Sequence, residues 1–242
     1  MYNKNKRKLA FSLVVLMGLL STTMIDAMHI MEGFLPKVHA AIWFAIAIPF
    51  FLVGLKSISK IVKDHPEKKL LLALAGAYVF LLSSLKLPAM TGSCSHPTGV
   101  GLGAVLFGAG PMFVLGTIVL IFQAILLAHG GLTTLGANAF SMAICGPILA
   151  VAIYKLCKKA KVNEMVSVFL AAALGDLFTY CITSIQLAAA FPKGNFFASM
   201  LGYMEIFAIT QIPIAIMEGI VTVLVYSGIK QYEGGLLSEE FN

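Results

Sequence analysis

Seven apolar stretches organise this chain, at roughly residues 39–55, 69–87, 98–109, 111–128, 138–157, 163–190 and 203–229. The longer ones meet the need of about 20 residues for a helix crossing hydrocarbon. The third and fourth are too short to span fully, and Gly108-Ala109-Gly110-Pro111 divides them. Half-spans of this kind are tolerated where they line protein or a cavity. Only 12% of the residues are charged and 59% are hydrophobic, whereas a soluble domain carries about 25% charged residues. Such a chain cannot cover a water-facing surface. The sequence predicts an all-α polytopic membrane protein of about seven transmembrane helices in one domain, two of them short or broken.

The first residues read differently. Lys4, Lys6, Arg7 and Lys8 form a positive leader, and Leu9 to Leu20 is an apolar run of signal-peptide length. A polar STTMIDA segment then ends at Ala27, with Ile25 two positions before it. This is an acceptable cleavage site. Residues 1–27 are therefore predicted to be a cleaved signal peptide, with an uncleaved signal anchor as the alternative. The remaining domain, 28–242, would begin Met28-His29.

The net charge of +6 reports orientation, not a nucleic-acid partner, in a membrane protein. Lys56, Lys60, Lys63, Lys68 and Lys69 fall between the first two stretches; Lys155, Lys158, Lys159 and Lys161 fall between the fifth and sixth. Both basic segments belong on the cytoplasmic side. That requires stretches two to five to cross four times, so the third and fourth count separately. The mature N-terminus is then extracytoplasmic and the C-terminus cytoplasmic, in the cell membrane. The loops at 88–97 and 129–137 face outward together.

A free Met28 amine, the His29 backbone nitrogen and the His29 imidazole would close a five-membered and a six-membered chelate ring through Nδ1. Cleavage creates that set, because the amine is an amide while residues 1–27 remain attached. His96, in SCSHPTGVG, is the first candidate for a fourth nitrogen; a hydrogen-bonded loop histidine is the competing reading. His129, before Gly130-Gly131, is either a ligand, a group that orients His29 or His96, or an imidazole near a helix end. His39 reads as interfacial and His65 as solvated. Four planar nitrogens suit Ni(II) or Cu(II) by geometry, with Co(II) also possible. Asp176, Glu205 and Glu218 lie in or near apolar stretches, where charge is costly. They form either a proton path or packing pairs with Gln, Thr or backbone. Ala41 and Ala45 put two small residues at helical spacing on the first stretch, a docking face or ordinary packing. Gly99, Gly101 and Gly103 allow close approach of backbone and helices. No CxxC pair, P-loop, HExxH or G-x-S-x-G occurs.

MHIMEGFLP at 28–36, SCSHPTGVGLGAVLFGAGP at 93–111 and LLAHGGLTTLGANAFSMAICGP at 126–147 resemble the CbiM/NikM proteins. These are the substrate-capture (S) components of energy-coupling-factor (ECF) cobalt and nickel transporters. The resemblance covers about residues 28–230. It implies an S-component-like bundle whose N-terminal segment inserts into it, and a metal held by Met28, His29 and His96. Ser93, Ser95 and His129 are the residues placed to support those ligands. It implies Co²⁺ as transported substrate for cobalamin biosynthesis, no organic cofactor and no enzymatic activity in this chain. The implied partners are a small CbiN-like membrane subunit, a CbiQ-like coupling protein that would meet Ala41 and Ala45, and a CbiO-like ATPase. Nickel members commonly begin MHIPDGF; MHIMEGF departs from that and points to the cobalt branch. Ni²⁺ uptake is the alternative, and a self-contained proton-coupled divalent-metal carrier a further one.

Overall fold

The computed structural model describes residues 29–85, 87–88 and 94–239. Helix α1 runs Lys37–Asp64. It is longer than the apolar stretch predicts, because Lys56, Lys60 and Lys63 continue it instead of starting a loop. Lysine is a good helix former and is favoured in a last turn. It stops at His65 (φ −138°), where the following Pro66 disfavours helical backbone. A 3₁₀ turn, Pro66–Lys68, leads into α2, Lys69–Ser84. At 16 residues, α2 falls short of the length expected for a full span. The loop after it contains a two-residue antiparallel pair, β1 (Leu87–Pro88) against β2 (Cys94–Ser95).

Helix α3 is Val100–Phe107 and α4 is Ala109–Leu127. The break falls on Gly108 alone, whose φ of +85° glycine adopts without a Cβ penalty. Pro111 sits in the first turn of α4, where its missing N–H has no intrahelical partner to lose. The fourth stretch is therefore not a half-span: its 19 residues are long and apolar enough to cross. α3, with only 8 residues, is short as expected and lies in the middle of the molecule. A Cβ on Gly101 would lie 2.6 Å from the Ala172 Cα, and one on Gly103 would meet Met112. These glycines permit the approach that the sequence anticipates.

Helix α5, Leu135–Lys159, widens into a π-helical segment over Ala139–Cys145. Pro147 just beyond it has no N–H for the helical ladder. Gln186 Nε2 donates to the Ala137 carbonyl (3.0 Å), two residues before the segment. α6, Glu164–Ala190, begins under an Asn163 cap whose side chain accepts from the Met165 N–H (2.8 Å). α7, Phe196–Glu239, continues through Pro213.

Five of these helices, α1 and α4 to α7, are long and apolar enough to cross a membrane. α6 packs along α5 and α7, while α1 lies against α4. Val79, Val100, Met112, Met142 and Ala171 share the largest buried cluster. The outside is also apolar: Ile48, Leu52, Val53, Leu74, Leu81 and Ile125 are exposed. Patches of that extent in a helical bundle suit hydrocarbon, not water.

Candidate metal centre

Residues 29–36 run as a strap across the 129–138 segment. Asn138 grips one residue from both sides: its Oδ1 accepts from the Ile30 N–H (2.9 Å) and its Nδ2 donates to the Ile30 carbonyl (3.0 Å). Thr134 Oγ1 donates to the same carbonyl (2.6 Å). Further along, the Glu32 N–H donates to the Gly130 carbonyl (3.2 Å), and the Gly33 N–H to Thr133 Oγ1 (2.9 Å). The Thr133 N–H returns a bond to the Glu32 carboxylate (3.1 Å). Hydrogen bonding from Thr133 holds that carboxyl below its usual range. Ile30 and Leu35 bury their side chains against Ala137, Tyr180, Leu187 and Phe207. Apolar burial and paired backbone groups together carry His29 inward.

His29, His96 and His129 are all buried. One nitrogen of each lies within 4.8 Å of the others. Ring centroids are 4.7 Å apart for His29–His96, 4.6 Å for His29–His129 and 4.9 Å for His96–His129. His129 reaches this position through Ala128, a left-handed helix cap at φ +47°, and its N–H donates to the Gln123 carbonyl (3.1 Å).

Each ring nitrogen of His29 and His96 has an identifiable neighbour. His96 Nδ1 lies 2.9 Å from the Pro97 carbonyl, so Nδ1–H donates and Nε2 is the unprotonated nitrogen. His29 Nε2 lies 3.2 Å from Met142 Sδ. Met142 Sδ is a weak acceptor beside Nε2, while Nδ1 is turned toward His96. His29 Nδ1 and His96 Nε2 face each other at 3.2 Å, a hydrogen-bonding distance. A single shared proton satisfies that contact, and a metal that displaces it meets two nitrogen donors. With metal–nitrogen bonds of about 2.1 Å, two ligands at right angles sit about 3.0 Å apart. Nδ1 is also the nitrogen that the amine–amide–imidazole chelate requires. Imidazole donors suit transition metals, whereas Mg²⁺ and Ca²⁺ want oxygen.

Met28 and Ser93, both candidate site residues, lie outside the described residues. Ser95 is buried, but its hydroxyl bonds the Thr210 hydroxyl (2.7 Å), tying the loop to α7. Ala41 and Ala45 are exposed on α1. Asp176 and Glu218 are buried and have Gln, Thr and backbone partners, whereas Glu205 is exposed on α7. His65 is exposed beside Glu67, and His39 is half-buried.

The sequence profile of the CbiM family, described as the cobalt uptake substrate-specific transmembrane region, matches residues 29–236. The chain belongs to the CbiM family. It is 62% identical over 226 residues to the cobalt transport protein CbiM of Clostridioides difficile (strain R20291), covering 93% of this chain and 90% of that one. The CbiM of Acetohalobium arabaticum is 56% identical and covers 98% of this chain and 96% of its own. A crystal structure of a transition metal transporter superposes with a TM-score of 0.74 at 26% identity, over 88% of this chain and 97% of that one. A crystal structure of a truncated transition metal transporter gives the same TM-score at 25% identity, over 84% of this chain and 99% of that one. This CbiM-family chain is thus a multi-pass membrane protein.

Reading the CbiM-type motifs singly misses the residues that build the centre around its histidines. Asn138 and Met142 both fall in the fifth apolar stretch. A buried asparagine there must find hydrogen-bond partners, and that is a usable signal. Met142 carries none, because methionine is ordinary in such a run.

Proposed function

We propose that this chain is the metal-capturing membrane subunit of an ECF-type, ATP-driven cobalt uptake transporter that supplies cobalamin biosynthesis. The observation that carries the reading is the pair of imidazole nitrogens, His29 Nδ1 and His96 Nε2, facing at 3.2 Å inside a buried histidine cluster. Cleavage after Ala27 leaves Met28 covalently next to His29. Its amine, the His29 backbone nitrogen, His29 Nδ1 and His96 Nε2 then complete four nitrogen donors. His129 stands beside them as a further wall or ligand. The curated relatives are named as cobalt transport proteins, which favours Co²⁺ over Ni²⁺ for a nitrogen set that suits both.

The mature N-terminus faces outward and the C-terminus the cytoplasm, as the two basic segments require. Ala41 and Ala45, exposed on α1, offer a small-residue face to a transmembrane coupling protein. A small membrane subunit and cytoplasmic ATPases complete the transporter. The chain itself is not an enzyme. Asp176 and Glu218 are engaged with the 98–99 backbone, which disfavours a proton-coupled carrier.

Intact mass and N-terminal sequencing of membrane-purified protein, with bound metal quantified in the same sample, test the proposal. The expected result is a chain starting Met28-His29 that holds about one equivalent of Co. Tight metal binding by a chain that keeps residues 1–27 would move the ligands elsewhere.

Met142→Leu conserves volume and removes the sulfur that lies 3.2 Å from His29 Nε2 and helps orient the ring. Through the lost contact with the His29 ring, its expected effect is a loss of Co²⁺ affinity of about 10-fold, read by titration of the purified protein. Unchanged affinity would remove Met142 from the centre.

A further inference from the structure

We infer that Asp176, Glu218 and Gln211 are positioning residues for His96, acting through the Pro97–Thr98 peptide group. The inference rests on the reading of His96 as a metal ligand. The Pro97 carbonyl, which accepts from His96 Nδ1–H, and the Thr98 N–H belong to one planar peptide unit. Its N–H end points at two carboxyl groups. Glu218 Oε2 accepts it at 2.6 Å and Asp176 Oδ1 at 3.2 Å. Glu218 Oε1 also accepts from the Gly99 N–H (3.0 Å) and the Thr98 hydroxyl (3.2 Å). Gln211 Nε2 bridges Asp176 Oδ2 (2.5 Å) and the His96 carbonyl (3.4 Å), which also accepts from the Tyr180 hydroxyl (2.8 Å).

All three side chains are fully buried or nearly so. Asp176 comes from α6, and Gln211 and Glu218 from α7. The carboxyl groups therefore hold the peptide plane, the peptide carbonyl holds His96 Nδ1–H, and His96 Nε2 is left aimed at His29 Nδ1. A ligating histidine usually donates its second N–H straight to a carboxylate or carbonyl, which fixes the ring and raises its basicity. Here a carbonyl takes that role, and the carboxyl groups polarise it from the far end of the peptide. Hydrogen bonds in series strengthen one another in a low-dielectric interior.

Glu218→Gln keeps the shape but brings an NH₂ against the backbone N–H groups of Thr98 or Gly99. Asp176→Asn does the same against Gln211 or Thr98, and serves as a second variant where the first does not fold. Each variant is made in the full chain and in a His96→Ala background, and titrated with Co²⁺ while its ligand-field absorption is recorded. In the parent, Glu218→Gln is expected to weaken binding about 10–100-fold and to shift the absorption band. In the His96→Ala background it is expected to leave the residual affinity unchanged, because its route to the metal is gone.

Parent-like affinity and spectrum for both Glu218→Gln and Asp176→Asn would overturn the inference. So would an equal loss in both backgrounds, which is the signature of a general packing role. Failure of the underlying reading is distinguishable, because His96→Ala alone would then bind Co²⁺ normally.

Discussion

His96→Ala is expected to weaken Co²⁺ binding by more than the roughly 10–100-fold that loss of a partner outside the ligand set costs. The reason is the pairing across 3.2 Å. His96 Nε2 is held unprotonated by a bond on the opposite side of its ring, so the substitution removes a prepared donor and not a mobile one. The His29 ring keeps its contact with Met142, so residual binding by the strap's own nitrogens is expected to remain measurable. His96 is fully buried, and alanine leaves a cavity that also lowers stability. The metal-free melting temperature is therefore recorded beside the titration, and the affinity is compared at a temperature where both proteins are folded. Near-parental affinity would take His96 out of the centre.

Gly131→Ala has the second largest expected effect, and it acts on no ligand at all. The added Cβ would lie 2.4 Å from the Glu32 Cα and 2.6 Å from the Glu32 nitrogen. Both are backbone atoms, so no side-chain rotation relieves the clash. The strap must lift from Gly130 and Gly131, which breaks the Glu32 N–H bond to the Gly130 carbonyl and loosens the hold on Ile30 and His29. Overpacking of this kind costs about 1–3 kcal/mol, equivalent to about 5–150-fold in the docked population. Co²⁺ affinity is expected to fall by that factor, with faster amide exchange over residues 29–36 and little change in the helices. A variant with parental affinity and a protected strap would show that the segment tolerates displacement without moving His29.

Physical chemistry in the sequence alone determined the class. The apolar stretches and the scarcity of charge matched a helical membrane protein broken at Gly108, although among the described residues only five of the seven stretches form helices long and apolar enough to cross. Hydrocarbon leaves no other home for backbone polar groups. His29 and His96 were also legible as candidates, because two motifs present a histidine where a chelate or a ligating loop makes chemical sense. Helix ends were less legible. α1 runs on through lysines that hydropathy treats as loop, and the fourth stretch crosses as one full-length helix once Pro111 is accepted in a first turn. Tertiary structure alone decided which histidines meet. His29 and His96 are 67 residues apart, and His29 and Met142 are 113 apart. Hydropathy records which faces are buried, not which buried atoms touch. The His29–His96 contact, the grip of Asn138 on Ile30 and the carboxyl groups behind Thr98 depend on directional bonds between separate segments. Bonds of that kind leave no periodic trace in a single chain.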